Sequence, residues 1–260
     1  MFVEAPLSEW LALLIGLLAA FLVVAAVVVL RRRRVVNEDP SETPDVIEYM
    51  TMMIGVVYAI VLGLAIAGVW EARNAADAAV TQEAQALHEV RERVQVYPAA
   101  TRERVRDGID AYVRHVVDKE WPYMVEHGEL TERGDRMLEQ VRKDVTGYDP
   151  KTTQQAQAYQ SLVDQVAEAD NARTERGDSA EPTMPGVVWI GLYAGAAVSV
   201  GMLFALQIQR SGRELVLAGI FSALIAFLLF LVWYFDAPFA RGLDDPTQAF
   251  TSLFPRATGT

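Results

Sequence analysis

The sequence has no cysteine, only three histidines, and long stretches without any charged residue. The first absence excludes disulfides, thiolate metal sites and cysteine nucleophiles, and leaves the redox environment of any soluble part open. His88, His115 and His127 form no HExxH or comparable ligand pair. There is no GxSxG turn, no glycine-rich phosphate loop and no Ser/His/Asp set beyond chance. We therefore expect no catalytic residue, no metal and no cofactor, and read the chain as a non-enzyme. Lys and Arg are also scarce relative to Asp and Glu, giving a net charge of −11. Nucleic acid is not expected as a partner, because phosphate neutralisation needs clustered basic residues, and the one such cluster adjoins an apolar run.

What the chain does have is segregated. It is 52% hydrophobic, yet Glu71 to Thr183 holds 23 acidic residues against 15 basic ones, a net of −8. Four stretches lack charge for 20 or more positions: Trp10 to Leu30, Tyr49 to Trp70, Met184 to Gln209 and Leu215 to Phe235. Each is long enough to cross a hydrocarbon layer of roughly 30 Å at about 1.5 Å per residue. The first lacks a basic leader and is followed by arginines where a cleavage site would lie, so it reads as an uncleaved span. The expected fold class is all-α: a polytopic membrane protein with four transmembrane helices in two hairpins around a soluble antiparallel helical bundle. The expected parts are a first hairpin over 1–70 (spans 10–30 and 49–70, loop 31–48), a bundle over 71–183, a second hairpin over 184–235 (spans 184–209 and 215–235), and a tail over 236–260.

Orientation follows from arginine, since short loops rich in Lys and Arg stay cytoplasmic. Arg31, Arg32, Arg33 and Arg34 separate spans one and two, and Arg210 and Arg213 separate spans three and four. These topology determinants place both short loops in the cytoplasm. The N-terminus, the bundle and the C-terminus are then extracytoplasmic in a bacterial plasma membrane. Trp10, Trp70, Trp189 and Trp233 all map to the opposite interface, which fixes the antiparallel register of the spans.

In span two, Gly55, Ala59, Gly63 and Ala67 recur every four residues, and span three repeats the pattern with Gly191, Gly195 and Ser199. Small residues at this spacing let helix backbones approach closely in lipid. The stripe either packs the helices of one protomer or faces the axis of an oligomer as a pore stripe. The span cores hold no Asp, Glu, Lys, Arg or His, which argues against a proton-coupled transporter or a voltage sensor.

Beyond Glu71 the helix of span two is expected to continue into water, because Ala76, Val80, Leu87, Val90, Val94 and Tyr97 keep helical spacing; Glu83 interrupts that seam. Further helices are expected from Pro98 to about Trp121-Pro122, from about Leu130 to Val145, and after Asp149-Pro150. Trp121-Pro122 reads as a bend, since proline stops or kinks a helix and tryptophan buries a large ring. The core is mostly Val and Ala, so association between copies would add needed buried surface, and a homo-oligomer is expected.

Three pieces in order carry a family resemblance: GVVYAIVLGLAIAGVW from Gly55 to Trp70 followed by Glu71; Glu120-Trp121-Pro122; and Asp236-Ala237-Pro238-Phe239 after the last span. Together they resemble the bestrophin-like family of bacterial, actinobacterial-type membrane proteins of unknown function, over about residues 48–254. Ala237 stands where the family pattern often has a basic residue. The resemblance implies kinship with bestrophins, pentameric anion channels in which two helix pairs flank a helical domain. Those channels keep that domain in the cytosol, opposite to the side the arginines give here. No counterpart of their pore constriction or calcium clasp is found in this sequence.

The leading expectation is an oligomeric bestrophin-like anion channel or pore in the lipid bilayer, with a small anion as its permeant partner. The alternative is a membrane sensor or scaffold whose soluble domain binds a ligand or partner and signals through span two.

Overall fold

The computed structural model describes residues 45–205, 212–242 and 247–259, and every regular element among them is helical. Span one (10–30), Arg31 to Arg34 and Arg210 lie outside the described residues. Three described helices are long and apolar enough to cross a membrane.

The first helix, α1 (Asp45–Arg93), runs unbroken for 49 residues. It takes in the whole of span two and the heptad-like stretch after it, as the absence of any Pro or helix-stopping Gly pair between them predicts. Two compact units share it: one takes in the described residues up to Trp70 and those within Met184–Asp236, the other Glu71–Thr183 and the described residues after Asp236. The described tail residues from Ala237 on therefore belong with Glu71–Thr183, the stretch expected from its charge to be soluble and named the soluble unit for that reason.

In the apolar unit, α1 packs with α6 (Gly186–Ala205) and α7 (Gly212–Phe235). Arg213 falls in the first turn of α7, so that helix begins before the charge-free stretch. The buried contact is small: Tyr58, Leu62 and Val69 of α1 meet Leu192 of α6 and Ile225 and Val232 of α7. The rest of each surface is apolar and exposed, including Val57, Ile60, Leu64, Ile190, Leu217 and Leu224. That pattern suits helices solvated by acyl chains, where burial between helices is not driven by water.

In the soluble unit α1 ends in a 3-10 turn, Val94–Val96, and an extended Tyr97 hands the chain to Pro98, which caps α2 (Ala99–His115). A π-helical turn, Val116–Glu120, leads into α3 (Trp121–His127). Gly128 adopts a left-handed φ of 72°, which ends α3 at no steric cost for a residue without Cβ. Next come α4 (Glu132–Thr146) and α5 (Thr153–Asp178), whose first turns are capped by the hydroxyls of Thr131 and Thr152. After the last span a second π turn, Pro238–Gly242, precedes two short helices, α8 (Gln248–Leu253) and α9 (Pro255–Thr258). Phe250, Phe254 and Ala257 from the tail join one core with Leu87, Ile109, Val141 and Leu162.

Two details differ from the sequence expectation. The bend at Trp121-Pro122 is not a stop: the chain stays helical from Ala99 to His127 and widens by a π turn just before the proline. Pro122 has no N–H and its ring would strike a carbonyl one α-turn back, and the wider turn relieves both problems. The seam of α1 also does not break at Glu83, whose side chain is completely buried.

Candidate functional site

Three apolar seams in the soluble unit carry a charge where the period calls for a hydrophobe. On α1, Ala76, Val80, Leu87 and Val90 are buried, and Glu83 occupies the position between Val80 and Leu87. On α2 and the π turn, Val105, Ile109, Tyr112 and Val116 lead to Glu120. On α5, Leu162, Val166 and Ala169 lead to Arg173 and Arg176. Helical spacing forces all four charged side chains into one core.

There they close a ring. The Arg176 guanidinium donates from Nε to Glu83 Oε2 at 2.7 Å and from Nη2 to Glu120 Oε1 at 2.9 Å. Arg173 grips the Glu120 carboxylate from the other side, with Nη2 donating to Oε2 at 2.9 Å and Nη1 to Oε1. Arg173 Nη1 also donates to Tyr112 Oη at 3.1 Å, and that hydroxyl donates to Glu83 Oε1. Two carboxylates and two guanidiniums balance, which is what allows them to lie in a core at all. The Arg176 head lies 5.7 Å from the Trp121 ring centroid, and Arg173 the same distance from the Tyr112 ring.

Further groups bond to the ring. Thr131 donates to Glu120 Oε2 from both its backbone N–H and its hydroxyl. The same hydroxyl oxygen accepts from Gly134 N at 3.2 Å and faces His115 Nε2 at 2.9 Å. Because its proton is spent on Glu120, the His115 Nε2 must carry the proton between them. Asp135 accepts from Arg173 Nε at 3.0 Å. Gly134 has no room for a side chain: a Cβ there would fall on Glu120 Oε2 and within 2.5 Å of Arg173 Nη2.

Electrostatics follow the geometry. Burial would raise the Glu120 pKa, but hydrogen bonding from Arg173 and the charges of Arg176 and Arg173 bring it down to about 2. Burial likewise works against charge on Arg173 and Arg176, yet their carboxylate partners hold both above the ordinary guanidinium range. The Tyr112 phenol is driven well up, first by burial and then by Glu83. Burial lowers the His115 pKa.

The family-motif residues divide between the two units. Glu120 is the hub of the ring; Trp121 is buried and meets Phe239 edge-on at 5.3 Å, with Pro238 buried beside it in the chain. Asp236 lies in the apolar unit, where it accepts from the backbone N–H of Met184 at 2.8 Å and the indole N–H of Trp189 at 3.3 Å. Trp70 meets Phe235 edge-on at 5.1 Å, and Glu71 is exposed.

The small residues differ in their surroundings within the chain. Gly195 is where α6 meets α1: a Cβ there would overlap the edge of the Tyr58 ring, and the Tyr58 hydroxyl donates to Leu192 O at 3.1 Å. Ala59, Gly63, Ala67 and Gly191 are exposed, and no described residue comes within 4 Å of a Cβ at Gly55, Gly63 or Gly191.

The bestrophin-like domain, as a family model, matches residues 17–244. This chain belongs to the bestrophin-like family. Among solved structures, the bestrophin-like chain is similar to an isoleucine-to-threonine variant of a bacterial bestrophin homologue from Klebsiella pneumoniae, with a TM-score of 0.68 at 13% identity, covering 96% of this chain and 100% of that one. It is also similar to a membrane protein carrying a proline-to-alanine substitution, with a TM-score of 0.64 at 12% identity, covering 98% and 100%. No curated protein matches its sequence. The fold is thus bestrophin-like along nearly the whole chain, and the protein is a multi-pass membrane protein.

Proposed function

We propose that the bestrophin-like chain is the subunit of a homo-oligomeric anion channel, with α1 lining the conduction path and a small monovalent anion as permeant. The observation that carries this reading is the bestrophin fold over 96% of the chain. Two features support it. The apolar stretches of the described spans hold no Asp, Glu, Lys, Arg or His, which suits a pore that neither pumps protons nor senses voltage. Ala59, Gly63 and Ala67 leave α1 thin on an exposed side, which suits helices gathered around an axis. The reading includes a fourth span at 10–30, boundaries at 70, 183 and 235, lipid as the surrounding partner, and an extracytoplasmic bundle and termini set by Arg31 to Arg34, Arg210 and Arg213.

The test is reconstitution of the purified protein in planar bilayers under a chloride gradient. The expected result is current reversing near the anion equilibrium potential. Silence from a preparation shown to be oligomeric overturns the proposal.

A second reading, a sensor or scaffold, is favoured by one observation: α1 passes without interruption from its apolar stretch to Glu83 in the buried ring. Under that reading the reconstituted oligomer carries no current and the bundle binds a partner.

A further inference from the structure

The face that α1 buries in the soluble unit is built from Ala76, Val80, Ala84, Leu87 and Val90. These side chains are small and similar from one turn to the next. A seam of that kind specifies burial but only weakly specifies axial position, because sliding the helix by one turn, about 5.4 Å, puts like against like. One-turn ratchets of packed helices are a known form of two-state motion.

Glu83 is the exception in this seam. It is fully buried and receives three hydrogen bonds, from Arg176 Nε at 2.7 Å, from Arg176 Nη2 at 3.3 Å and from the Tyr112 hydroxyl. Those donors come from two other elements, α5 and α2. Displacing α1 by a turn would bring an apolar side chain opposite Arg176 and strand the Glu83 carboxylate among Val and Ala. Arg176 also cannot follow α1, because Nη2 is bonded to Glu120, which Arg173 and Thr131 hold.

We propose that Glu83 and Arg176 form a register lock: a buried ion pair that selects one axial position of α1 against α2 and α5, which the apolar seam alone leaves degenerate. The pair acts by position and not as a main source of stability, since two buried charges give back in desolvation much of what they gain in attraction. Because α1 is a single helix from Asp45 to Arg93, a lock at residue 83 bears on all of it. The inference does not depend on whether the protein conducts.

The experiment measures register directly. The chain has no native cysteine, so Gln85→Cys on α1 and Ala167→Cys on α5, both at exposed positions, accept spin labels selectively. Labelled full-length chains are diluted with unlabelled ones in lipid nanodiscs, and the distance distribution is read by pulsed dipolar spectroscopy alongside thermal melting. The background protein is expected to give one narrow distance. The apolar, charge-neutral pair Glu83→Leu/Arg176→Met is expected to melt near the background temperature yet show a second distance, displaced by up to about one helical turn, ~5.4 Å. The polar, charge-neutral pair Glu83→Gln/Arg176→Gln, whose amides can still bond each other, is expected to retain one distance. A single unchanged distance in the apolar variant overturns the proposal, as does splitting in the amide variant. An apolar variant that no longer folds overturns it as well, because the pair would then be supplying stability.

Discussion

Arg173 and Arg176, one turn apart on α5, donate to the same atom, Oε1 of Glu120. A single carboxylate therefore organises two buried guanidiniums, and removing it leaves both facing a core with one carboxylate fewer. We expect Glu120→Gln to destabilise the protein by about 3 kcal/mol or more, the scale for breaking one side of a buried ion network. Chemical unfolding in detergent, followed by far-ultraviolet circular dichroism, measures this. A loss below about 1 kcal/mol would show that the network is slack.

Gly134 and Gly63 make a matched pair of tests. Gly134→Ala puts a methyl onto Glu120 Oε2 and should lower stability by about 1–3 kcal/mol, the range for overpacking. Gly63→Ala meets no described residue within 4 Å and should leave stability unchanged or slightly higher. Equal effects at both positions would contradict the packing described.

Stability should fall in acid for a specific reason. The Glu120 pKa is about 2 in the fold against an ordinary 4.5, so between those values the unfolded chain binds the proton and the folded chain does not. The contribution is complete above about pH 4.5 and is lost as pH falls towards 2. His115, lowered from 6.5, acts in the same direction at higher pH: its contribution is present above 6.5 and lost as pH falls through the folded value. Melting temperatures from pH 7 to 3 should decline in both windows, and His115→Gln should flatten only the upper one.

If α1 lines the conduction path, Gly63→Leu should cut unitary conductance by about twofold or more while leaving the oligomer intact. Single-channel recording with a parallel sizing measurement tests this. Unchanged conductance would move the path away from that side of α1.

Orientation is open to labelling in intact cells with an impermeant maleimide. Gln154→Cys, exposed in the first turn of α5, should react, and Ser41→Cys should not. Ser161 is a poorer reporter because it is half-buried and bonded by Arg93. The opposite pattern would place the bundle in the cytosol.

The helices of the soluble unit were legible because their periods are clean: Val105, Ile109, Tyr112 and Val113 are buried as spacing requires. The ion network was not read from the sequence, although its signal was present. Glu83, Glu120, Arg173 and Arg176 each continue an apolar seam, but a charge in a seam looks like an interruption until its partner on another helix is known. The separations of 93, 56 and 53 residues between partners carry no local pattern. Glu120-Trp121-Pro122 was recognised as a motif and read as a corner, since nothing in three letters reveals the π turn before it. The small-residue stripe is legible as a pattern but not as a set of contacts: among its described glycines, Gly195 is the one set hard against a side chain, that of Tyr58.

That π turn has an angular consequence. Val116–Glu120 holds one residue more than an α-helix would need to reach Trp121, whose N–H bonds to Val116 O five residues back. One residue of α-helix is worth about 100° of rotation. Glu120, four residues after Val116, keeps the inward face with or without the extra residue, but without it the helix that follows would be turned by about that angle, and Trp121 and Met124, both buried, would swing out of the core. A single extra residue thus turns the Trp121 ring inward, to within 5.7 Å of the Arg176 guanidinium.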